Sequence, residues 1–242
     1  MAAMATMATW GWKATAMTDE LEQYRTRRDL EASPEPAGEV RDATERPVFV
    51  IQQHAASSLH YDVRLEADGV LLSRAVPKGP STDPGDKQLA VRTEDHPVDY
   101  ADFEGRIPEG AYGAGTVIVW DIGPYRNLTT DDDGEELPVG CAVEQGHVKV
   151  WLEGEKLRGG YALTHAKLGG DESNWLLVKI DDEAADARRN PTSTEPYSVL
   201  SDRTIEEVAA EADEGDGRLR HPRHLGLRED EEPQHVVRET PD

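Results

Sequence analysis

Residues 59–66 read LHYDVRLE. Apolar and polar side chains alternate through this stretch. Leu59, Tyr61, Val63 and Leu65 fall on one face, and His60, Asp62, Arg64 and Glu66 on the other. A period of two marks a β-strand with one face turned to a core. The same habit continues outward in VFVIQQ (48–53), VLLSRAV (70–76), QLAVRTE (88–94), GTVIVW (115–120), HVKVWLEG (147–154), GYALTHA (160–166) and NWLLVKI (174–180). Gly, Pro and Asp separate the runs at intervals typical of all-β sandwiches and barrels.

The ends of the chain differ in character. TDELEQYRTRRDLEA (18–32) predicts a short helix, capped by Thr18 and striped by Leu21, Tyr24 and Leu30. TTDDDGEELPVG (129–140) reads as an acidic loop. DDEAADARRNPTSTEP (181–196) reads as a linker, and RTIEEVAAEAD (203–213) as a helix opened by a Thr204–Glu207 capping box. The expected division is a disordered leader over 1–17, a β domain over 18–182, and an acidic linker, short helix and disordered tail over 183–242. All four Met lie within the first 17 residues, which makes Met17 a candidate start.

Composition removes several function classes. A lone Cys141 excludes an intramolecular disulfide and a thiolate zinc finger. No run approaches the roughly 18 apolar residues of a membrane helix, and the N-terminus lacks the basic and apolar segments of a secretion signal. A cytoplasmic monomer is expected. The formal charge is −23, and only seven of the 26 basic residues are Lys. Such a surface suits either adaptation to molar salt or an acidic partner-binding face. In molar salt the Debye length falls to about 3 Å, so net charge does not exclude a nucleic-acid substrate.

The polar face of LHYDVRLE holds His60 and Asp62 at i, i+2, with His54 upstream beyond an AASS turn. Two imidazoles and a carboxylate form an open site suited to Mn²⁺ or Fe²⁺, and less specifically to Zn²⁺. Arg64 beside it offers a planar cation for a phosphate. The same pattern also describes the polar side of an ordinary exposed strand. A second cluster, RTEDHPVDYADFE (92–104), contributes Glu94, His96 and Tyr100. A Gly-rich segment, IPEGAYGAG (107–115), follows it, and SRAVPKGPS (73–81) supplies Ser73 and Lys78.

The run FVIQQHAASSLHYDVRLEADGVLLSRAVPKGPSTDPGDKQLAVRTEDHPVDYADFEGRIPEGAYGAGTVIVWD resembles the 3′-phosphoesterase domain of bacterial DNA ligase D and its stand-alone archaeal relatives. YRTRRDLEASPEP, GYALTHAKLGGDESNWLLVKI and YSVLSDRTIEEVA extend the resemblance over roughly residues 20–208. It implies a compact β-barrel with a short N-terminal helix and a polar active site on one barrel surface. It also implies a Mn²⁺-dependent enzyme that trims a terminal ribonucleoside from a DNA 3′ end and then removes the 3′-phosphate.

By position in that resemblance, His54, His60 and Asp62 are metal ligands, and Arg64, His96 and Tyr100 are catalytic. Gln52, Ser73, Lys78 and Glu94 match further substrate-binding positions. Arg28, Asp29 and Glu35 match residues supporting the ribonuclease step. His96, with an ordinary pKa near 6.5, is also a candidate to protonate the leaving oxygen. The chain departs from the family at Gln88, where an Arg that helps bind phosphate is common, and at His165, where Arg is also common. The rival expectations are a non-catalytic module that recognises 3′ ends, and a phosphodiesterase for RNA ends. The chain shows no K-x-D-G ligase motif, so a ligase and polymerase are expected as separate partners.

Overall fold

The structure is a computed structural model that describes residues 21–41, 44, 46–166 and 170–214. Ten strands form one antiparallel sheet: β1 (Val48–Ala55), β2 (Leu59–Ala67), β3 (Val70–Val76), β4 (Gln88–Arg92), β5 (His96–Pro97), β6 (Gly105–Ile107), β7 (Gly115–Asn127), β8 (His147–Glu153), β9 (Arg158–His165) and β10 (Asn174–Lys179). Their order is β1-β2-β3-β4-β10-β9-β8-β7, and β7 pairs back with β1, so eight strands close a barrel. Closure leaves the eight no unpaired edge. The eight runs read as strands in the sequence are these eight. The short β5 and β6 lie outside the ring, paired with β3 and β7.

Local chemistry sets the register. Asp68 and Gly69 both have positive φ (52° and 81°) in the two-residue turn joining β2 to β3. Two such residues are what a type I′ hairpin turn demands, and Asp-Gly supplies them. Ile51 pairs with Asp121 and Gln52 with Val119, so the β1–β7 ladder bulges at Trp120. The bulge coincides with a change of side: Val117 and Val119 join the outer apolar cluster, and Trp120 the interior one.

Both faces of the β1–β2–β3 wall are buried. Inside lie Phe49, Ile51, Tyr61, Val63 and Leu65 with Trp120 and Trp175. Outside, a second apolar cluster joins Val50, Leu71, Val117 and Val119 to Leu21, Tyr24, Tyr100, Phe103 and Ile107. This sets aside the reading of the polar side of an ordinary exposed strand. Asp62, Arg64 and Glu66 are 6%, 3% and 4% exposed. The covering layer comes from α1 (Glu22–Arg27), the 3₁₀ turn Val98–Asp102 and the chain leading to β6.

The helix expected over 18–32 is shorter. Within the described residues it ends at Arg27, and Thr18 lies outside them. Arg28 adopts extended backbone (φ −117°, ψ 141°), and its guanidinium reaches two buried carboxylates. Asp29 caps the next turn, accepting from the Glu31 and Ala32 amides. Tertiary ion pairing thus overrides a modest helical propensity.

The two barrel mouths are plugged. A short helix, α2 (Val139–Glu144), follows the acidic loop and sets Val139, Ala142 and Val143 into the interior. At the other mouth, the stretch expected as a linker lies along the barrel. The Glu195 carbonyl accepts from Trp120 Nε1, and the Thr192 carbonyl from the Tyr61 hydroxyl. α3 (Pro191–Thr194) lies in this stretch, and α4 (Ile205–Glu214) seals it with Ile205 and Val208 on Ile118. α4 opens on the expected capping box: the Thr204 amide donates to Glu207 Oε2, and the Glu207 amide to Thr204 Oγ1. Among the described residues, no helix is long and apolar enough to cross a membrane.

Candidate active site

The hairpin of β1 and β2 builds the centre of the site. His54 pairs with His60, Gln52 with Asp62, and Val50 with Arg64. One face of two adjacent strands therefore presents Gln52, His54, His60, Asp62 and Arg64 together. β3 adds Ser73 opposite Arg64, and β5 places His96 opposite Leu71.

The backbone fixes the histidine tautomers. His54 Nε2 lies 3.0 Å from the Gly113 carbonyl oxygen, and His60 Nδ1 lies 3.0 Å from that of Ser58. A carbonyl only accepts, so each of those nitrogens carries a ring hydrogen. Whenever a ring is neutral its lone pair is therefore on His54 Nδ1 or His60 Nε2. These are the nitrogens that face Asp62, at 3.6 Å from Oδ2 and 3.7 Å from Oδ1. One donor atom from each of the three residues lies within 4.8 Å of the others. Two imidazole nitrogens and a carboxylate, each imidazole held by a carbonyl behind it, fit a divalent transition metal. Burial works to raise the Asp62 pKa, but Arg64 and the two imidazoles outweigh it and hold the carboxyl below its usual range.

Beside this His54–His60–Asp62 cluster lies a buried network of guanidiniums. Arg64 donates from Nε to Gln52 Oε1 (2.9 Å), from Nη1 to Ser73 Oγ (2.7 Å) and from Nη2 to Asp62 Oδ2 (3.2 Å). Arg28 donates from Nε to Glu35 (2.8 Å) and from Nη1 to Glu94 (2.9 Å). His96 sits between them. Its Nε2 accepts from Arg28 Nη2 at 3.0 Å, which leaves Nδ1–H to donate to the Glu94 carbonyl at 2.9 Å. Arg64 Nη1 is 2.8 Å from that same Nδ1. Burial, then the charges of Arg64 and Arg28, push the His96 pKa well below 6.5. His96 is therefore a neutral, fixed group, which runs against the expectation that it stores the proton for the leaving oxygen.

The other expected residues divide into two groups. Tyr100 is buried, donates its hydroxyl to Glu35 Oε1 (3.1 Å) and lies under the Arg64 guanidinium (5.2 Å). Burial pushes its phenol well above 10, so it stays a donor. Gln52 ties the face to the 3₁₀ turn by donating to the Tyr100 and Phe103 carbonyls. Lys78 and Asp29 are exposed and outside the pocket lining. Gln88 also lies off the pocket; it opens β4 opposite Leu177, on the same side as interior Ala90. The missing Arg thus falls at a position that does not face this cavity. His165 is distant as well, bonded to the Glu172 carbonyl and packed by Trp175.

Sequence reasoning missed Arg27, Tyr112 and the Gly113 carbonyl. The hydroxyl of Tyr112 accepts from Arg27 Nη1 (2.7 Å) and donates to Glu94 Oε2 (3.2 Å) at the pocket rim. The available signal was an aromatic residue enclosed by glycines in EGAYGAG.

Residues 52–165 match the family model for the DNA ligase D 3′-phosphoesterase domain. Residues 52–165 carry that domain. The chain is also similar to curated relatives. The multifunctional non-homologous end joining protein LigD of Pseudomonas aeruginosa is 49% identical over 189 residues, covering 76% of this chain and 22% of that protein. The LigD proteins of Mycolicibacterium smegmatis and Mycobacterium tuberculosis are 41% and 42% identical over 176 and 168 residues, each covering 69% of this chain and 21% and 20% of theirs. The chain thus spans about a fifth of the length of these relatives. All of the assembled site residues on β1 to β5, from Gln52 to His96, fall inside the matched domain; Arg28 and Glu35 precede it.

Proposed function

We propose that this chain is a Mn²⁺-dependent phosphoesterase that heals DNA 3′ ends, removing a terminal ribonucleoside and then the 3′-phosphate, in support of repair by end joining. The observation that carries the reading is the carbonyl-backed His54–His60–Asp62 triad set directly against the Arg64–His96–Arg28 network. His54, His60 and Asp62 would hold the ion, which supplies Lewis-acid polarisation of a phosphoryl oxygen when bound.

Charge balance supports a need for that ion. Glu35, Asp62 and Glu94 are three buried carboxyl groups that three guanidiniums only balance, Arg28 and Arg64 buried and Arg27 half-exposed. A divalent cation turns that balance in favour of an anionic substrate. Arg64 is held by Gln52, Ser73 and Asp62, so its orientation is settled before substrate arrives. Donors fixed in this way stabilise charge developing on equatorial phosphate oxygens without reorganising. Neutral His96 keeps the two guanidiniums apart and adds no third positive charge. The placement of Gln88 off the pocket supports catalysis over a non-catalytic end-binding role. A separate ligase and polymerase would then use the healed 3′-OH.

The decisive experiment is an end-healing assay in high salt with Mn²⁺, Mg²⁺ and Zn²⁺. Its substrates are primer–templates ending in one ribonucleotide or in a 3′-phosphate. Wild-type protein should convert both to 3′-OH ends with Mn²⁺, and His60→Ala should convert neither. Undiminished trimming by His60→Ala rejects the metal assignment. RNA ends processed in preference to DNA would reassign the substrate.

A further inference from the structure

The pocket over the metal ligands encloses only about 160 Å³. Sites that bury a drug-sized molecule occupy roughly 300–1,000 Å³. A phosphate fits beside the triad, but a nucleoside attached to it must rest on the rim. The rim carries Tyr112, which is 44% exposed. The other exposed aromatic among the described residues, Tyr197 (40%), lies outside the pocket lining.

We infer that Tyr112 is the platform on which the nucleoside attached to the reacting phosphate stacks, and so a specificity residue that separates nucleic-acid termini from other phosphate esters. The inference rests on the phosphoesterase reading above. The Arg27 and Arg28 guanidiniums stand over the ring, 5.1 and 5.3 Å from its centroid, and the hydroxyl is held by Arg27 and Glu94. These contacts set the tilt of the ring and leave nearly half of the side chain open. The next residue, Gly113, gives its carbonyl to His54, so the platform is tied to the metal ligands by a single peptide unit. Every base has a π-face, and stacking therefore accepts any terminal base, which suits an enzyme that heals arbitrary ends. The exposed side of Arg27 stands at the same rim, where a neighbouring backbone phosphate would pass.

The test measures affinity rather than turnover. Primer–templates carrying a non-hydrolysable 3′-phosphonate, on either a normal or an abasic terminal nucleotide, are titrated with full-length protein in Mn²⁺. Tyr112→Ala should weaken binding of the base-bearing end by roughly five- to 140-fold and of the abasic end by less than about twofold. Tyr112→Phe and Tyr112→Trp should retain the preference for the base. Equal loss on both ends, or loss on neither, overturns the proposal. If wild-type protein hydrolyses no 3′ end and yet Tyr112→Ala abolishes the preference for a base, the phosphoesterase reading fails and the platform stands. If hydrolysis is present and that preference is unchanged, the platform fails alone.

Discussion

His54 and His60 face each other across the β1–β2 hairpin, with ring centroids 4.8 Å apart and Asp62 reaching both. Each ring turns one nitrogen toward the carboxylate because a backbone carbonyl holds the other. The cluster is thus arranged by main-chain groups that no side-chain motif records.

The Gly113 carbonyl behind His54 gives the first prediction. Gly113 has φ +77°, and a Cβ there meets only Ile107 Cδ1 at 3.8 Å. Gly113→Ala therefore strains the backbone, by about 1–2 kcal/mol, without a clash. Mn²⁺ affinity measured by calorimetry should fall roughly 10- to 100-fold as the carbonyl shifts. Gly110→Ala, with φ +85° and open space around it, carries similar strain without that link to His54 and should leave affinity unchanged. Equal effects of the two substitutions would remove the carbonyl from the argument.

Asp62 links the site to acid stability. Its pKa is below the ordinary value in the folded state, so the unfolded chain binds the proton first as pH falls. Its stabilising contribution is present above about pH 4 and is lost as pH drops through the lower folded value. In metal-free protein at pH 7, Asp62→Asn should cost about 1–3 kcal/mol, because Arg64 Nη2 loses a charged partner. Denaturant unfolding should show this gap narrowing toward pH 3. A gap independent of pH would mean the carboxylate charge contributes nothing.

His96 titrates in the opposite sense from a catalytic acid. Its depressed pKa means the unfolded chain takes up a proton near pH 6.5 while the folded one does not. Stability from this residue is therefore lost as pH falls below about 6.5. The imidazole C–H resonances of His96 in the folded protein should hold their positions from pH 8 to 5.5. A titration midpoint near 6.5 that disappears in His96→Asn would restore the acid role.

The segment beyond β10 behaves as part of the barrel. Ile205 is 6% exposed and packs on Ile118. Ile205→Ala should cost at least about 2 kcal/mol and lower the midpoint of thermal unfolding by roughly 4–8 °C. Truncation after Arg188 removes the acceptors of Trp120, Lys156 and Tyr61 as well, and should lower it further. Unchanged melting of the truncated chain would show that the plug adds no stability.

Alternation in LHYDVRLE was enough to set Asp62 and Arg64 opposite Tyr61 and Val63, because strand geometry forces neighbours onto opposite faces. Eight strands, the Thr204 capping box and the clustering of His54, His60 and Asp62 were all legible in this way or through family resemblance. Burial of the polar face was not legible, since the covering layer comes from α1, the 3₁₀ turn and β6, all distant in sequence. Arg28 leaves its helix for Glu35 and Glu94, which local propensity has no means to anticipate. The neutral state of His96 depends on two guanidiniums, 32 and 68 residues away, meeting on one ring. The amino-acid sequence alone determined which side chains share a strand face. Only the tertiary structure decided which nitrogen of each histidine is free, because carbonyls, charges and burial act through space and not along the chain.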